Sequence, residues 1–332
     1  MTTTTGSSGI FLYLTKRCNL NCRYCYVDKR EEDMSFEVAT KAIDLFLNLK
    51  GPKEPKCICF MGGEPLLKFE LICQITEWLK KKYTREDYFL IICTNLTLLT
   101  KEITKYFEKN HIDFYISIDG SKKAHDNNRL NKKGQGTYQE IMKKMELLNT
   151  NKIKTDIHYV VDPELREDIA KNAMQIMDKW NCYITLIPCF SGNWNAENRA
   201  YYIGQLEKFL NMQKQKKAKK TYCDVWPYYT CGKGCIMDRY LVYPNGDITF
   251  SCYDYFLKNI KASYYHKFYI GNIIKNKINQ NKILKTGKYF EKYPGIFWCS
   301  MANPKPENWQ RLMVDILRLG NKYTPILKCR RT

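Results

Sequence analysis

From Ile10 to Ile187 the chain alternates short β-branched or aromatic runs with longer amphipathic segments, and few folds are open to a chain that does this six times. Strands are expected at about Ile10–Thr15, Lys56–Phe60, Tyr88–Cys93, Ile112–Ile118, Lys154–Val161 and Cys182–Ile187. Helices are expected at about Ser35–Leu49, Phe69–Lys82, Lys101–Lys109, Tyr138–Leu148, Glu164–Trp180 and Arg199–Lys217. A parallel strand pair needs a crossover long enough to hold a helix, so the alternation predicts a parallel sheet covered by helices. The fold class is therefore α/β, with chemistry gathered at the C-terminal ends of the strands.

After about residue 220 the rhythm changes. Tyr240–Tyr243 and Ile248–Phe250 flank an Asn245-Gly246 turn, which signals a hairpin, and a last helix is expected near Glu307–Leu319. The expected organisation is an unstructured lead-in over residues 1–9, a first domain over 10–220 and a smaller α+β domain over 221–332. The formal charge of +20 is uneven: 24 of the 54 Lys and Arg, but only 8 of the 34 Asp and Glu, lie after residue 205. Such a field attracts nucleic acid, an anionic membrane surface or an acidic peptide, or serves solubility alone. With no apolar run of membrane-spanning length and no signal-peptide pattern at its start, the chain is expected to be cytoplasmic and without a membrane partner. Fifteen cysteines in a chain of this kind point to metal or redox chemistry rather than to a disulfide framework.

Three of them stand together as Cys18, Cys22 and Cys25, directly after the first strand. Three thiolates so placed can hold three irons of a [4Fe–4S] cluster and leave the fourth iron open. Zinc remains an alternative, although it asks for a fourth ligand and the nearest in sequence is Cys57. A CxxxCxxC in this position resembles the radical S-adenosylmethionine (SAM) superfamily, whose fold is a partial (β/α)6 barrel. The resemblance continues through Tyr24, in the aromatic position beside the cofactor, and through Gly62-Gly63-Glu64-Pro65 after the second strand. Thr94-Asn95 ends the third strand, and Ser117, Asp119-Gly120, His125-Asp126 and Arg129 surround the end of the fourth. It implies a SAM-binding [4Fe–4S] cluster on the three cysteines, with cofactor contacts from Tyr24, Gly62, Gly63, Glu64, Thr94, Asn95, Ser117, Asp119 and Arg129. On this reading the glycines let a ligand approach the backbone, and Glu64 accepts from an ammonium. Ser117 then meets the ribose and Arg129 the carboxylate. Asp119 and Asp126 suit helix capping and turns equally well, and His125 reads as structural.

Farther on, Cys231, Cys235, Cys252 and Cys299 resemble the ligands of the SPASM and shorter twitch extensions of that superfamily, which implies one auxiliary [4Fe–4S] cluster. Cys223 is a substitute for Cys231. Two departures stand out: five residues, not four, separate Gly246 from Cys252, and the dense cysteine run of a second auxiliary cluster is missing. Tetrahedral zinc also fits four such thiols. Tyr253 and Asp254 follow Cys252 and are candidate catalytic residues, with Asp254 as a general base or else a surface side chain. The Lys208–Lys220 stretch is a solvated helix face or a dock for an acidic leader peptide.

The resemblance implies reductive cleavage of SAM to methionine and a 5′-deoxyadenosyl radical, with an electron from flavodoxin or ferredoxin and hydrogen abstraction from a peptide substrate. The expected activity is maturation of a ribosomally made peptide. Alternatives are an anaerobic sulfatase-maturating activity, a twitch-type dehydrogenase of a small alcohol or sugar, and a zinc protein that binds nucleic acid. Only seventeen residues precede Cys18, so a peptide is expected to be held by the barrel mouth, the basic second domain or a separate protein.

Overall fold

The computed structural model describes residues 9–49, 55–148, 152–189, 191–216, 223–224, 239–250 and 269–279, with residues 308, 311, 312, 315, 316 and 319 of a final helical stretch. The α/β class read from the alternation is the one observed. All six expected strands are present: β1 (Gly9–Thr15), β2 (Lys56–Gly62), β3 (Tyr88–Thr94), β4 (Ile112–Ser117), β5 (Thr155–Val161) and β6 (Tyr183–Pro188). The helices are α1 (Phe36–Leu47), α2 (Phe69–Lys82), α3 (Lys101–Lys109), α4 (Lys122–Asn128), α5 (Tyr138–Met145), α6 (Ile169–Trp180) and α7 (Ala196–Lys216). A 3-10 turn at Pro65–Lys68 leads into α2. Later strands are β7 (Cys223–Asp224), β8 (Arg239–Val242), β9 (Asp247–Phe250), β10 (Tyr269–Asn272) and β11 (Lys277–Ile278).

The chain divides into two compact units, one of Met1–Asn19, Tyr26–Tyr115 and Lys233–Lys292, the other of Leu20–Cys25, Ile116–Gly232 and Tyr293–Thr332. In the first, the strands run in the order β11-β10-β9-β8-β1-β2-β3-β4. β1 lies parallel to both β2 and β8, and all seven of its residues are buried, as expected of a strand covered on both faces. The expected hairpin is β8–β9, and it is hydrogen-bonded into this same sheet through β8. In the second unit β5, β6 and β7 are parallel neighbours.

Local chemistry explains the element ends. Ser35 caps α1 by accepting from the Val38 N–H at 3.2 Å, and the helix buries Val38, Ala39, Ala42, Ile43 and Phe46 as one stripe. Its other end is closed by the buried Lys56, whose ammonium donates to the Phe46, Leu47 and Leu49 carbonyls at 3.0, 3.0 and 2.8 Å. A cation there satisfies orphan carbonyls and opposes the helix dipole.

The structure departs from the sequence reading mainly at three places. β1 starts at Gly9, inside the segment read as unstructured. α6 starts at Ile169 rather than Glu164, because Asp168 caps it from the Lys171 N–H at 3.1 Å while Leu165–Glu167 form a turn. α4 was not expected at all; Ser121 caps it through the Ala124 N–H at 3.2 Å. Among the described residues no helix is long and apolar enough to cross a membrane.

Candidate functional site

In the first unit, the chain leaving β1 is fastened before it reaches Cys18. The Gly63 N–H donates to the Thr15 carbonyl at 2.8 Å and the Glu64 N–H to that of Arg17 at 2.9 Å, so pairing of β1 with β2 continues past both strands. Asp33 gathers Thr15, Arg17 and Lys68 around its carboxylate. Gly63 is needed here for a reason the sequence did not reveal: an added Cβ would lie 2.1 Å from the Arg17 carbonyl oxygen. The close approach is made by the chain's own backbone.

Glu64 is fully buried, and its carboxylate is occupied by protein. Oε1 accepts from the Leu66 N–H at 3.0 Å and the Thr94 hydroxyl at 2.7 Å, and Oε2 from the Asn95 N–H at 2.8 Å. It therefore caps the 3-10 turn and ties the end of β2 to the end of β3. Asn95 in turn donates to the Cys18 Sγ at 3.8 Å and to the Asn19 Oδ1 at 3.0 Å.

In the second unit, Leu20–Cys25 is zipped to the segment after α4. The Asn21 N–H donates to the Leu130 carbonyl at 2.6 Å and the Arg23 N–H to that of Asn128 at 2.9 Å. Tyr24, between Cys22 and Cys25, donates its hydroxyl to Asp119 Oδ2. The other oxygen of Asp119 accepts from Arg129 at 2.9 Å and from the Val160 N–H at 3.1 Å. Asp119 is 1% and Arg129 6% exposed, and the guanidinium lies over the Tyr24 ring at 5.3 Å. Burial alone would push the guanidinium down, but the Asp119 charge beside it holds it above its ordinary value. Burial, reinforced by Asp119, likewise pushes the Tyr24 phenol well up, so it stays a donor.

His125 is part of the frame. Its Nδ1 accepts from the Asp119 N–H at 3.2 Å, which leaves Nε2 to donate to Thr137 at 3.1 Å. Gly120, at φ 66°, is required because a Cβ would meet the Tyr159 hydroxyl at 2.1 Å.

Two of these groups make opposite pH demands. Burial pushes Glu64 up to about 7 from 4.5, against the pull of its three donors. Its contribution to stability is full below 4.5 and is lost as pH rises toward 7. Burial pushes His125 down to about 4 from 6.5, against the attraction of Asp119. Its contribution is full above 6.5 and is lost as pH falls toward 4. Each shift corresponds to about 3 kcal/mol, so between pH 4.5 and 6.5 the two slopes offset one another. Asp33, Asp126 and Asp168 are held below the usual carboxylate range and act at lower pH. Urea midpoints of the parent chain are expected to be nearly flat across that interval, to rise with pH in Glu64→Gln and to fall with pH in His125→Asn. Flat profiles in both variants would refute this.

Of the residues singled out in the sequence, Gly63, Glu64, Thr94, Asn95 and Cys18 fall in one connected network, and Tyr24, Asp119 and Arg129 in another. Gly62 opens the first at the end of β2, while Ser117 ends β4, half-buried. Cys18, Cys22 and Cys25 are in no disulfide and are of intermediate exposure. Among the described residues no three Cys, His, Asp or Glu side chains converge as a cage for one metal ion. Cys231, Cys235, Cys252, Tyr253, Asp254 and Cys299 lie outside the described residues, and of Cys223 only the backbone in β7 is described. Asp33, Asn19 and Thr97 were missed; Asn19, inside the cysteine motif, was the one with a signal to find.

Residues 12–175 match the family model described as the radical SAM superfamily. The chain belongs to that superfamily. It is 38% identical over 157 residues to an uncharacterized protein of Methanocaldococcus jannaschii, over 47% of this chain and 54% of the relative. It is 28% identical over 208 residues to a cysteine-type anaerobic sulfatase-maturating enzyme of Clostridium novyi, over 59% of this chain and 56% of that enzyme. The matches thus span about half the length of these relatives. The solved structure of anSMEcpe with bound AdoMet and Cp18Cys peptide superposes with a TM-score of 0.71 at 18% identity, covering 96% of this chain and 99% of that one, and so shares its fold. Radical SAM proteins use a [4Fe–4S] cluster and SAM. The residues here fit both: three soft thiol donors free of disulfides suit iron, and the buried Arg129 Nε, which has no hydrogen-bond partner among the described residues, suits a carboxylate.

Proposed function

We propose that this radical SAM enzyme modifies a peptide or protein side chain. The observation that carries the reading is the Cys18, Cys22 and Cys25 loop directly after β1, inside the stretch that matches the superfamily. When bound, the cluster and SAM supply a 5′-deoxyadenosyl radical on one-electron reduction by flavodoxin or ferredoxin. The chain's part is to hold and orient. The three thiolates would hold the cluster, and Arg129 would offer its spare N–H to the SAM carboxylate. Gly62, Thr94 and Ser117 stand at strand ends where the remaining contacts fall.

The substrate class rests on the sulfatase-maturating relative and on the peptide bound by the structural neighbour. A sulfatase segment is accordingly a second reading beside a ribosomally made peptide. An auxiliary cluster on Cys231 or Cys223, Cys235, Cys252 and Cys299, with Asp254 and Tyr253 near it, belongs to the same proposal, as do a cytoplasmic location and docking of an acidic leader on the basic C-terminal third.

Anaerobically prepared protein is expected to hold roughly eight irons with matching sulfide, as two four-iron clusters. Replacing Cys18, Cys22 and Cys25 together by Ala is expected to remove one cluster and all 5′-deoxyadenosine formation, leaving the other cluster in place. Stoichiometric zinc without sulfide would refute the reading. Mass changes in a cysteine-containing sulfatase peptide, against an acidic-leader peptide, distinguish the two substrates.

A further inference from the structure

The end of β3 carries a closed ring of side chains whose directions can all be fixed. The Thr97 N–H points at one end of the Asn95 carboxamide at 3.0 Å, and because that N–H can only donate, the atom facing it is Oδ1. The Thr97 hydroxyl donates to the same oxygen at 2.7 Å. That hydroxyl accepts from the Asn19 amide at 2.7 Å, and Asn19 Oδ1 accepts from the Asn95 amide at 3.0 Å. Each member of the ring donates to the next, an arrangement in which the bonds polarise one another. The Asn95 amide has two hydrogens. One closes the ring, and the other faces the Cys18 Sγ at 3.8 Å.

The backbone is bent to make this possible. Leu96, between Asn95 and Thr97, is fully buried and holds φ at 67°, a left-handed conformation that bulky side chains seldom adopt. The Thr94 hydroxyl accepts from the Leu96 N–H at 2.9 Å, and the Asn95 N–H is held by Glu64 at 2.8 Å. Asn95 is 7% exposed. A strained turn, a buried amide and a three-membered ring all converge on one outcome, an N–H aimed at the first cysteine of the motif.

We propose that Asn95 is a positioning residue that acts through the Cys18 sulfur and raises the reduction potential of the cluster this cysteine ligates. This rests on the reading of Cys18 as a cluster ligand. A donor on the sulfur stabilises the form with more negative charge, so it favours acceptance of the electron delivered by a one-electron reductant such as flavodoxin or dithionite. Thr97 and Asn19 serve by fixing which end of the amide faces the sulfur.

The test uses the full chain, reconstituted anaerobically, and follows by EPR redox titration the cluster signal that changes when SAM is added. Asn95→Leu and Asn95→Asp are each expected to lower the potential. The second keeps an oxygen for both Thr97 bonds, which protects the turn. Thr97→Val is expected to shift it the same way by less, since it loosens the amide without removing it. Wild-type protein labelled with 15N-asparagine is expected to show an amide coupling to the reduced cluster that is lost in Asn95→Leu. An unchanged potential in both Asn95 variants, with the cluster intact, overturns this inference alone. Failure of the parent chain to take up any iron–sulfur cluster overturns the proposed function with it.

Discussion

Asp119→Ala is expected to destabilise the chain by about 3–5 kcal/mol, the loss that follows when a buried ion pair is broken from one side. The carboxylate has no water to replace it at 1% exposure, and its removal strands the Arg129 guanidinium, the Tyr24 hydroxyl and the Val160 N–H together. The double variant Asp119→Leu, Arg129→Met is expected to recover only the part of that loss that comes from the stranded guanidinium, because the Tyr24 hydroxyl and the Val160 N–H stay unpaired. Urea denaturation measures both. Segment Leu20–Cys25 is expected to lose amide protection first in Asp119→Ala, since Tyr24 is its side-chain anchor. A loss under about 1 kcal/mol would place Asp119 among ordinary surface pairs and sink the argument.

Gly63→Ala is expected to be nearly as damaging as Gly63→Val. The obstacle lies at the Cβ itself, 2.1 Å from the Arg17 carbonyl oxygen and 2.6 Å from its carbon, and both partners are backbone. Residues 15–17 must move away, which breaks the bonds from Gly63 to Thr15 and from Glu64 to Arg17. Each pair has one buried member, Thr15 or Glu64, while Gly63 is half-buried and Arg17 exposed, so losing both bonds puts the expected effect at about 1–3 kcal/mol. Alkylation of Cys18 by iodoacetamide, followed by mass spectrometry, is expected to quicken in both variants. A glycine kept only to admit a ligand gives another pattern: Gly63→Ala of parental stability with weakened SAM binding. The two patterns are separable before any substrate is known.

The strands were legible because parallel strands covered on both faces are written as apolar runs, GIFLYLT in β1 and YFLIICT in β3. α4 was not, since KKAHDNN has no apolar stripe and only the Ser121 cap announces it. The cysteine loop was legible from its spacing and its place after β1. The work of the acids was not. Glu64 and Asp119 sit in motifs that suggest contact with a ligand, and each also accepts from three protein donors, some of them 30 and 41 positions away in the chain. Nothing in a local pattern tells a carboxylate that binds a ligand from one that fastens the frame. His125 was an exception, because a single histidine beside a turn is more often satisfied than free.

The pairing of β1 with β8 bears on how the protein is made. Gly9–Leu12 lies beside Arg239–Val242, partners about 230 positions apart. At a synthesis rate of roughly 5–20 residues per second, β1 waits roughly 10–50 s for the strand that covers one of its sides. Through that interval an apolar edge stands open on the growing chain, the kind of template on which unfinished chains pair with one another. Truncations ending before residue 239 make the exposure permanent, whereas slow growth at low temperature or a chaperone bound to the emerging N-terminal strand relieves it. The last third of the chain thus supplies the second neighbour that β1 lacks until then.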